Sequence, residues 1–276
     1  MRTRQRGVAL ISVLLVMSLA LVIIGGVLRS HRLLLQSTGQ QLHQLHLRQL
    51  GMAGETLALS LLMAQHKDSD RLPDQIPAFV MEDAQISFAI EDLAGRFNLN
   101  ALLIQGQVDQ VTLKRWARLL ALLELPELHL EQVGALRDLS QLRLLPDIDG
   151  EHLRRLEPWV ALLPVGASLN INTAPALLLR TLDGVEAAAA DALLRQRSTT
   201  PWSSVQAFTQ DPLLSGKGLS SHGLGIDSRW YRITVHVTHG QSRLRLATDV
   251  ERDAKTRQLN ILQRRLLPSN SNEIAQ

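Results

Sequence analysis

Residues Val8 to Leu28 form an apolar run with no charge and no proline, and Arg2, Arg4 and Arg6 stand just ahead of it. A helix rises about 1.5 Å per residue, so this run reaches roughly 30 Å, the thickness of a bilayer's hydrocarbon core. Such a segment must lie in lipid or against sister helices, and the rest of the chain hangs from it. Three readings of the anchor compete. A secretory signal peptide has an apolar core of about 7–15 residues followed by a small-residue cleavage site. Here the run is longer, and Ser18 and Ala20 supply such a site only inside it. An ordinary uncleaved anchor is the second reading. The third rests on Gly7, which stands between the basic leader and the apolar run instead of after the run.

The 276 residues leave room for one large or two modest domains beyond the anchor. The formal charge is +3; without Arg2, Arg4 and Arg6 the 29 basic residues fall to 26, equal to the 26 acidic ones. A neutral chain lacks the positive excess that nonspecific nucleic-acid binding needs. The absence of cysteine excludes disulfides, thiolate zinc sites and cysteine catalysis. Three arginines before the run against Arg29 and Arg32 after it favour a cytoplasmic N-terminus and an external head.

No proline occurs from Arg29 to Gln65, and Leu42, Leu45, Ala53, Leu57, Leu61 and Ala64 share one side at helical spacing. The pattern predicts one helix over 8–66, spanning the membrane at 8–28, with that face packed on a sheet. Gly39, Gly51 and Gly54 each cost about 1 kcal/mol inside a helix and invite a bend. Lys67 to Asp74 reads as a loop. Ala84 to Asp92 alternates Ile86, Phe88 and Ile90 with Gln85, Ser87 and Ala89, which predicts a strand. Asp92 and Gly95 then suggest a tight turn, and Asn98 and Asn100 suit irregular backbone that they can hydrogen-bond.

Between Leu102 and Gly225 the chain is leucine-rich and helical in pattern, starting with a helix capped near Gln110 and ended by Pro126. Leu139–Trp159 and Thr173–Arg197 share a plan of short leucine helix, Asp/Gly turn and second helix, with turns at Asp149 or Gly150 and at Asp183 or Gly184. Pro201–Phe208 is a partial third unit. After Gly225 three strands are predicted, Ser228–Val237, Gln241–Asp253 and Arg257–Leu266, joined through 238–241 and 253–256. The fold class is therefore α+β. A long N-terminal helix packs on a small antiparallel sheet built from 84–101 and 226–266, with an all-α insert at 102–225 and a frayed tail at 267–276.

The helix-hairpin-helix plan sets up a rival function. LNINTA (169–174) and the segment after it resemble the DNA-uptake receptors of the competence system. Hairpins that bind DNA present backbone amides to phosphate through a G-x-G turn. Here the turn is Gly184, Val185, Glu186, which puts a carboxylate where phosphate must sit, and the other turn is also acidic. No catalytic constellation is legible, and an enzyme is not expected. His222, His236 and His239 lack paired carboxylates, Ser203 and Ser204 lack a glycine elbow, and Asp92 and Arg96 have no partnered base or nucleophile. His43 and His46 read as a solvated helix face.

The placement of Gly7 resembles the class III signal of type IV pilins and type II secretion pseudopilins. That resemblance implies cleavage between Gly7 and Val8 by a prepilin peptidase, methylation of the new amine, and helix packing through Val8, Ser12, Leu14 and Leu15. Most pilins carry glutamate at the fifth mature position, which here is Ser12. A carboxylate in an apolar helix needs a partner, whereas a serine hydroxyl bonds a carbonyl one turn back. Ser12 therefore suits a subunit with no neighbour above it, and equally reads as a tolerated small polar residue.

With DLAGRFNLN (92–100), LNINTA and IDSRWY (226–231) added, nearly the whole chain resembles the minor pseudopilin K of type II secretion. The resemblance implies structural roles for Asp92, Gly95, Arg96, Asn98, Asn100, Asn170 and Asn172. It also implies an inner-membrane, single-pass protein with a periplasmic head at the pseudopilus tip, starting assembly for export of folded periplasmic proteins. Implied partners are the I- and J-type minor pseudopilins, the major pseudopilin, the prepilin peptidase and inner-membrane lipid, with no nucleic acid. A minor pilin of a type IV pilus shares the anchor and is the further alternative. Relatives of this kind can hold calcium in the head. Candidate ligands are Asp68, Asp70 and Asp74 in one loop and Asp147, Asp149 and Glu151 in another, but neither set has EF-hand spacing. Asp147 and Asp149 read more simply as turn and helix-cap residues, so no ligand is assigned.

Overall fold

The computed structural model describes residues 5–64, 77–130, 136–145 and 148–268, with side chains from Val13 onward. Helix α1, Gln5–Ala64, continues without a break from the apolar run. Among the described residues it is the one helix long and apolar enough to cross a membrane. Strands β1 (Phe79–Met81) and β2 (Ala84–Asp92) follow, joined by Glu82 and Asp83, both at positive φ, in a two-residue hairpin turn. Sequence periodicity did not reveal β1, because three residues are too few to alternate.

The insert begins with 3-10 turns at Leu93–Gly95 and Leu99–Leu102 flanking β3 (Phe97–Asn98). Then come β4 (Leu103–Ile104), β5 (Gln107–Val108) and α2 (Gln110–Leu122). Asp109 caps α2 by accepting from the Thr112 amide at 3.0 Å. The first two-helix unit pairs a 3-10 segment, Leu139–Leu144, with α3 (Gly150–Leu156). Next lie β6 (Val160–Ala161) and β7 (Leu169–Asn170). The second unit is α4 (Ala176–Leu179) and α5 (Ala187–Thr199), turning at Gly184 with φ +74°. A side chain there would meet the Lys217 Cβ at 2.7 Å, so glycine is required twice over. Helix α6 (Val205–Thr209) and β8 (Leu224–Gly225) complete the insert. Its core is continuous, with Trp116, Leu119, Leu142, Leu156, Leu178 and Phe208 all fully buried.

The insert is not purely helical. Three two-residue ladders run through it: β3 with β6 and β7 with β8, both parallel, and β4 with β5, antiparallel. Each is too short to leave a period in the sequence, and the parallel partners are more than fifty residues apart.

The closing strands are β9 (Trp230–His239), β10 (Ser242–Arg252) and β11 (Leu259–Leu267). Their connections differ from the expected ones. His239 pairs with Ser242, leaving a two-residue turn at Gly240 and Gln241, and the second loop runs from Asp253 to Gln258. Leu267, expected in the tail, ends β11. The antiparallel sheet has the order β1-β2-β9-β10-β11, so β2 lies beside a strand that follows the whole insert.

Helix α1 meets this sheet through Leu47, Leu50, Ala58 and Leu62, not through the leucine face read from the sequence. Leu42, Leu45, Leu57 and Leu61 are 41–62% exposed. The glycines explain the difference. A Cβ on Gly54 would lie 2.7 Å from Val235 and 2.9 Å from Ile86, and one on Gly51 would lie 3.1 Å from Leu244. These two glycines form the contact stripe and let the helix backbone sit on the strands; neither interrupts α1. Buried Glu55 on the same face takes Arg264 of β11 at 2.9 Å, and Arg252 donates to the Leu62 carbonyl at 2.6 Å. His43 and His46 also depart from the solvated reading. Their ring centroids lie 5.4 and 5.6 Å from that of His239 at the end of β9.

Candidate functional site at the insert junction

Asp92 ends β2 at the point where the chain leaves the sheet for the insert. One oxygen, Oδ1, accepts the Ala94 amide at 2.9 Å and caps the first 3-10 turn. The other, Oδ2, accepts the hydroxyls of Thr173 and Ser228 and the Asn170 amide nitrogen, the last at 3.2 Å. Asn170 Nδ2 also donates to Ser228 Oγ at 2.5 Å, and its Oδ1 accepts the Asn172 amide at 2.9 Å. Three distant segments therefore converge on one buried carboxylate: the corner after β2, the LNINTA turn and the entry to β9. Burial pushes the Asp92 carboxyl above the ordinary aspartate range, against the opposing pull of the Ser228, Thr173, Ala94 and Asn170 hydrogen bonds. Gly95 fits the same contact, since a Cβ there would stand 3.1 Å from the Thr173 backbone.

The remaining residues of the corner work as backbone surrogates. Arg96 grips Glu91 through Nε and Nη2, both at 2.6 Å, and Nη1 donates to the Glu157 carbonyl at 3.0 Å. Asn98 donates to the Pro164 carbonyl at 2.9 Å and accepts the Leu163 amide at 3.1 Å. Asn100 donates to the carbonyls of Leu136 and Leu163, both at 3.1 Å, and accepts the Leu136 amide at 2.8 Å. Asn172 makes the same two-way contact with Trp202, both bonds at 3.0 Å. An asparagine amide offers a donor and an acceptor side by side, as a peptide unit does, so each extends a hydrogen-bonded seam where regular strand pairing has stopped. Leu93, Ala161, Leu163, Ala167 and Trp230 fill the apolar space between these seams.

Seven predicted residues are thus distributed over one junction. Asp92 and Asn170 meet directly, Gly95 packs on Thr173, Arg96, Asn98 and Asn100 bind the 157–164 segment, and Asn172 binds Trp202. Thr173, Ser228 and Glu91 take part without having been singled out, although Thr173 and Ser228 lie inside the motifs LNINTA and IDSRWY. Apart from the Asn170–Ser228 contact, every bond here holds backbone or a structural carboxylate. The chemistry is that of a rigid joint.

The other predicted positions lie elsewhere. Gly7, Val8 and Ser12 fall in the α1 backbone, with side chains outside the described set, and Leu14 and Leu15 are exposed on α1. Asp68, Asp70, Asp74 and Asp147 lie outside the described residues. Asp149 caps α3, accepting the amides of Glu151 and His152 at 2.9 and 2.8 Å, and the His152 amide holds its carboxyl below the usual range. In the second hairpin Asp183 is bound by Arg118 at 2.6 Å.

Comparison with known proteins agrees with this architecture. The family model for type II secretion system protein K matches residues 169–227, which contain the LNINTA turn and run to the edge of the β9 entry. The type II secretion system protein K of Pseudomonas aeruginosa is 27% identical over 93% of this chain and 92% of its own length. That of Klebsiella pneumoniae is 28% identical over 96% of this chain and 97% of its own. The crystal structure of a GspK-GspI-GspJ complex from the enterotoxigenic Escherichia coli type 2 secretion system contains a chain of the same fold. It superposes with a TM-score of 0.71 at 20% identity, covering 85% of this chain and all of that one. Sequence likeness along nearly the full length, the family-model match around the LNINTA turn and the shared fold make this chain similar to type II secretion system protein K.

Proposed function

We propose that the chain occupies the tip of the type II secretion pseudopilus and initiates its assembly, in contact with the I- and J-type minor pseudopilins and, below them, the major subunit. The carrying observation is the bulk of the insert and the way it is fixed. It is tied to the sheet by the Asp92 cluster and the Arg96–Glu91 pair and stiffened internally by the asparagine seams and two parallel ladders, which opposes its swinging aside to admit a neighbour. Subunits inside a helical filament are enclosed by neighbours, and a rigid enlarged head fits only where the filament ends. Ser12 in place of a carboxylate suits the same position, since nothing above needs to pair with it. The solved complex of a relative with GspI and GspJ supports these partners.

In this reading the prepilin peptidase removes residues 1–7 at the cytoplasmic face. The new amine on Val8 is methylated, and α1 holds the periplasmic head at the inner membrane until assembly begins. The acidic hairpin turns, with Asp183 already engaged by Arg118, give no support to a DNA-binding role. The test is localisation in cells that overproduce the pseudopilus. A tagged copy of this subunit should label one end of each fibre, and its deletion should abolish or sharply reduce fibre number and secretion. Labelling at regular intervals along the shaft, or native protein whose mass begins at Met1, refutes the reading.

A further inference from the structure

Helix α1 enters its contact with the sheet at Leu47, and just before that point three imidazoles and a carboxylate gather. His43 and His46 stand at i, i+3 on α1 and so share one helix face. His239, at the end of β9, lies against both, with its ring centroid 5.4 and 5.6 Å from theirs. Glu82 reaches the group from the β1–β2 turn, its Oε2 lying 3.6 Å from His46 Nε2. All three histidines are half-buried. Turn chemistry does not explain Glu82, since its φ of +50° favours asparagine or glycine.

The spacings are those of ligands around one tetrahedral ion. A ring nitrogen about 2.1 Å from zinc puts the ring centroid roughly 3.2 Å away, so two ligand rings stand about 5.2 Å apart and two donor atoms about 3.4 Å apart. The observed 5.4, 5.6 and 3.6 Å exceed those values by about 0.4 Å or less. Among the described residues no three donors already converge on one point. Small turns of the rings close the set, together with the Glu82 side chain, which is 68% exposed.

We propose that His43, His46, His239 and Glu82 bind one zinc ion. Three imidazoles and one carboxylate suit zinc, whereas calcium and magnesium take oxygen shells. The donors approach from a helix, a strand end and a turn, which fits a tetrahedron better than the tetragonal set of copper(II). Bound there, the ion pins α1 to β9 and to the first hairpin where the helix leaves the sheet toward its apolar run.

The test is calorimetric titration of the full chain in detergent micelles with zinc chloride in a non-chelating buffer. One saturable site per chain should appear, and an equal excess of calcium or magnesium should not displace the zinc. At a zinc concentration about a hundredfold above Kd the Tm of the head should rise by about 5–10 °C. His239→Gln should weaken binding at least tenfold, whereas His31→Gln, on the exposed part of α1, should leave it unchanged. Since His239 also pairs with Ser242 at the β9–β10 turn, Glu82→Gln is the second variant: it keeps the shape of an exposed side chain, removes the charge and should weaken binding severalfold. No saturable zinc uptake, displacement by calcium, undiminished binding by His239→Gln or Glu82→Gln, or an equal loss in His31→Gln overturns the proposal.

Discussion

At the scale of single residues the junction turns on Asp92. Removing its carboxylate takes the acceptor from three donors at once: buried Asn170 and half-buried Thr173 and Ser228. Asp92→Ala should therefore destabilise the head by about 2–4 kcal/mol, measured as a fall in Tm or denaturation midpoint. Asp92→Asn should cost less, because the amide keeps an acceptor and the two hydroxyls can rotate to receive its N–H bonds. Titration separates the two further. The folded-state pKa of Asp92 is raised above the unfolded value of about 3.9, so its ionised form weakens the native state at neutral pH. That loss is recovered as pH falls through the folded pKa and is fully recovered below the unfolded value. The stability of the wild type relative to Asp92→Asn should thus rise from pH 7 toward pH 4. A difference that is flat or shrinks on acidification contradicts the assignment. The comparison with Asn cancels Asp138 and Asp253, whose depressed pKa values make them lose stability over the same acid range.

At the scale of elements the clearest case is α1 against the sheet. A methyl group added at Gly39 would meet nothing within 4 Å, whereas one at Gly54 would meet Val235 and Ile86 inside 3 Å. Gly39→Ala should stabilise the helix by up to about 1 kcal/mol, and Gly54→Ala should destabilise the head by about 1–3 kcal/mol despite the better helix former. Paired thermal melts check the opposite signs. This contact also marks where sequence reading ends. Strand β2 and helix α2 were legible because Ile86, Phe88 and Ile90 alternate and Asp109 precedes an amphipathic run. The inward face of α1 was misread, because Gly51 and Gly54 stand among Leu47, Leu50, Ala58 and Leu62 and carry no hydrophobic signal until the opposing strands are in place. At the junction the motif residues were visible as motifs. That Asp92, Thr173 and Ser228 share one oxygen was not, since no local pattern links residues so far apart in the chain.

At the scale of the whole molecule the head is a sheet interrupted by a second core. A chain stopped after Asp227 keeps the complete insert but lacks β9, the strand that pairs with β2 along eight residues from Gln85 to Asp92. Such a chain should leave α1 and β2 without a sheet. Limited proteolysis should then digest residues 77–92 rapidly, while fragments within the insert core persist. Equal protection of both regions would show that the two cores do not depend on each other as the topology requires.

The position of β9 also sets a clock. Strand β2 is made early, yet its permanent neighbour follows only after the entire insert, and loop closure over such a separation is slow. During that interval the edge of β2 and the glycine stripe of α1 stand open. Completion of the closing strands therefore doubles as a checkpoint: only a chain made through β9 and β10 can close its head.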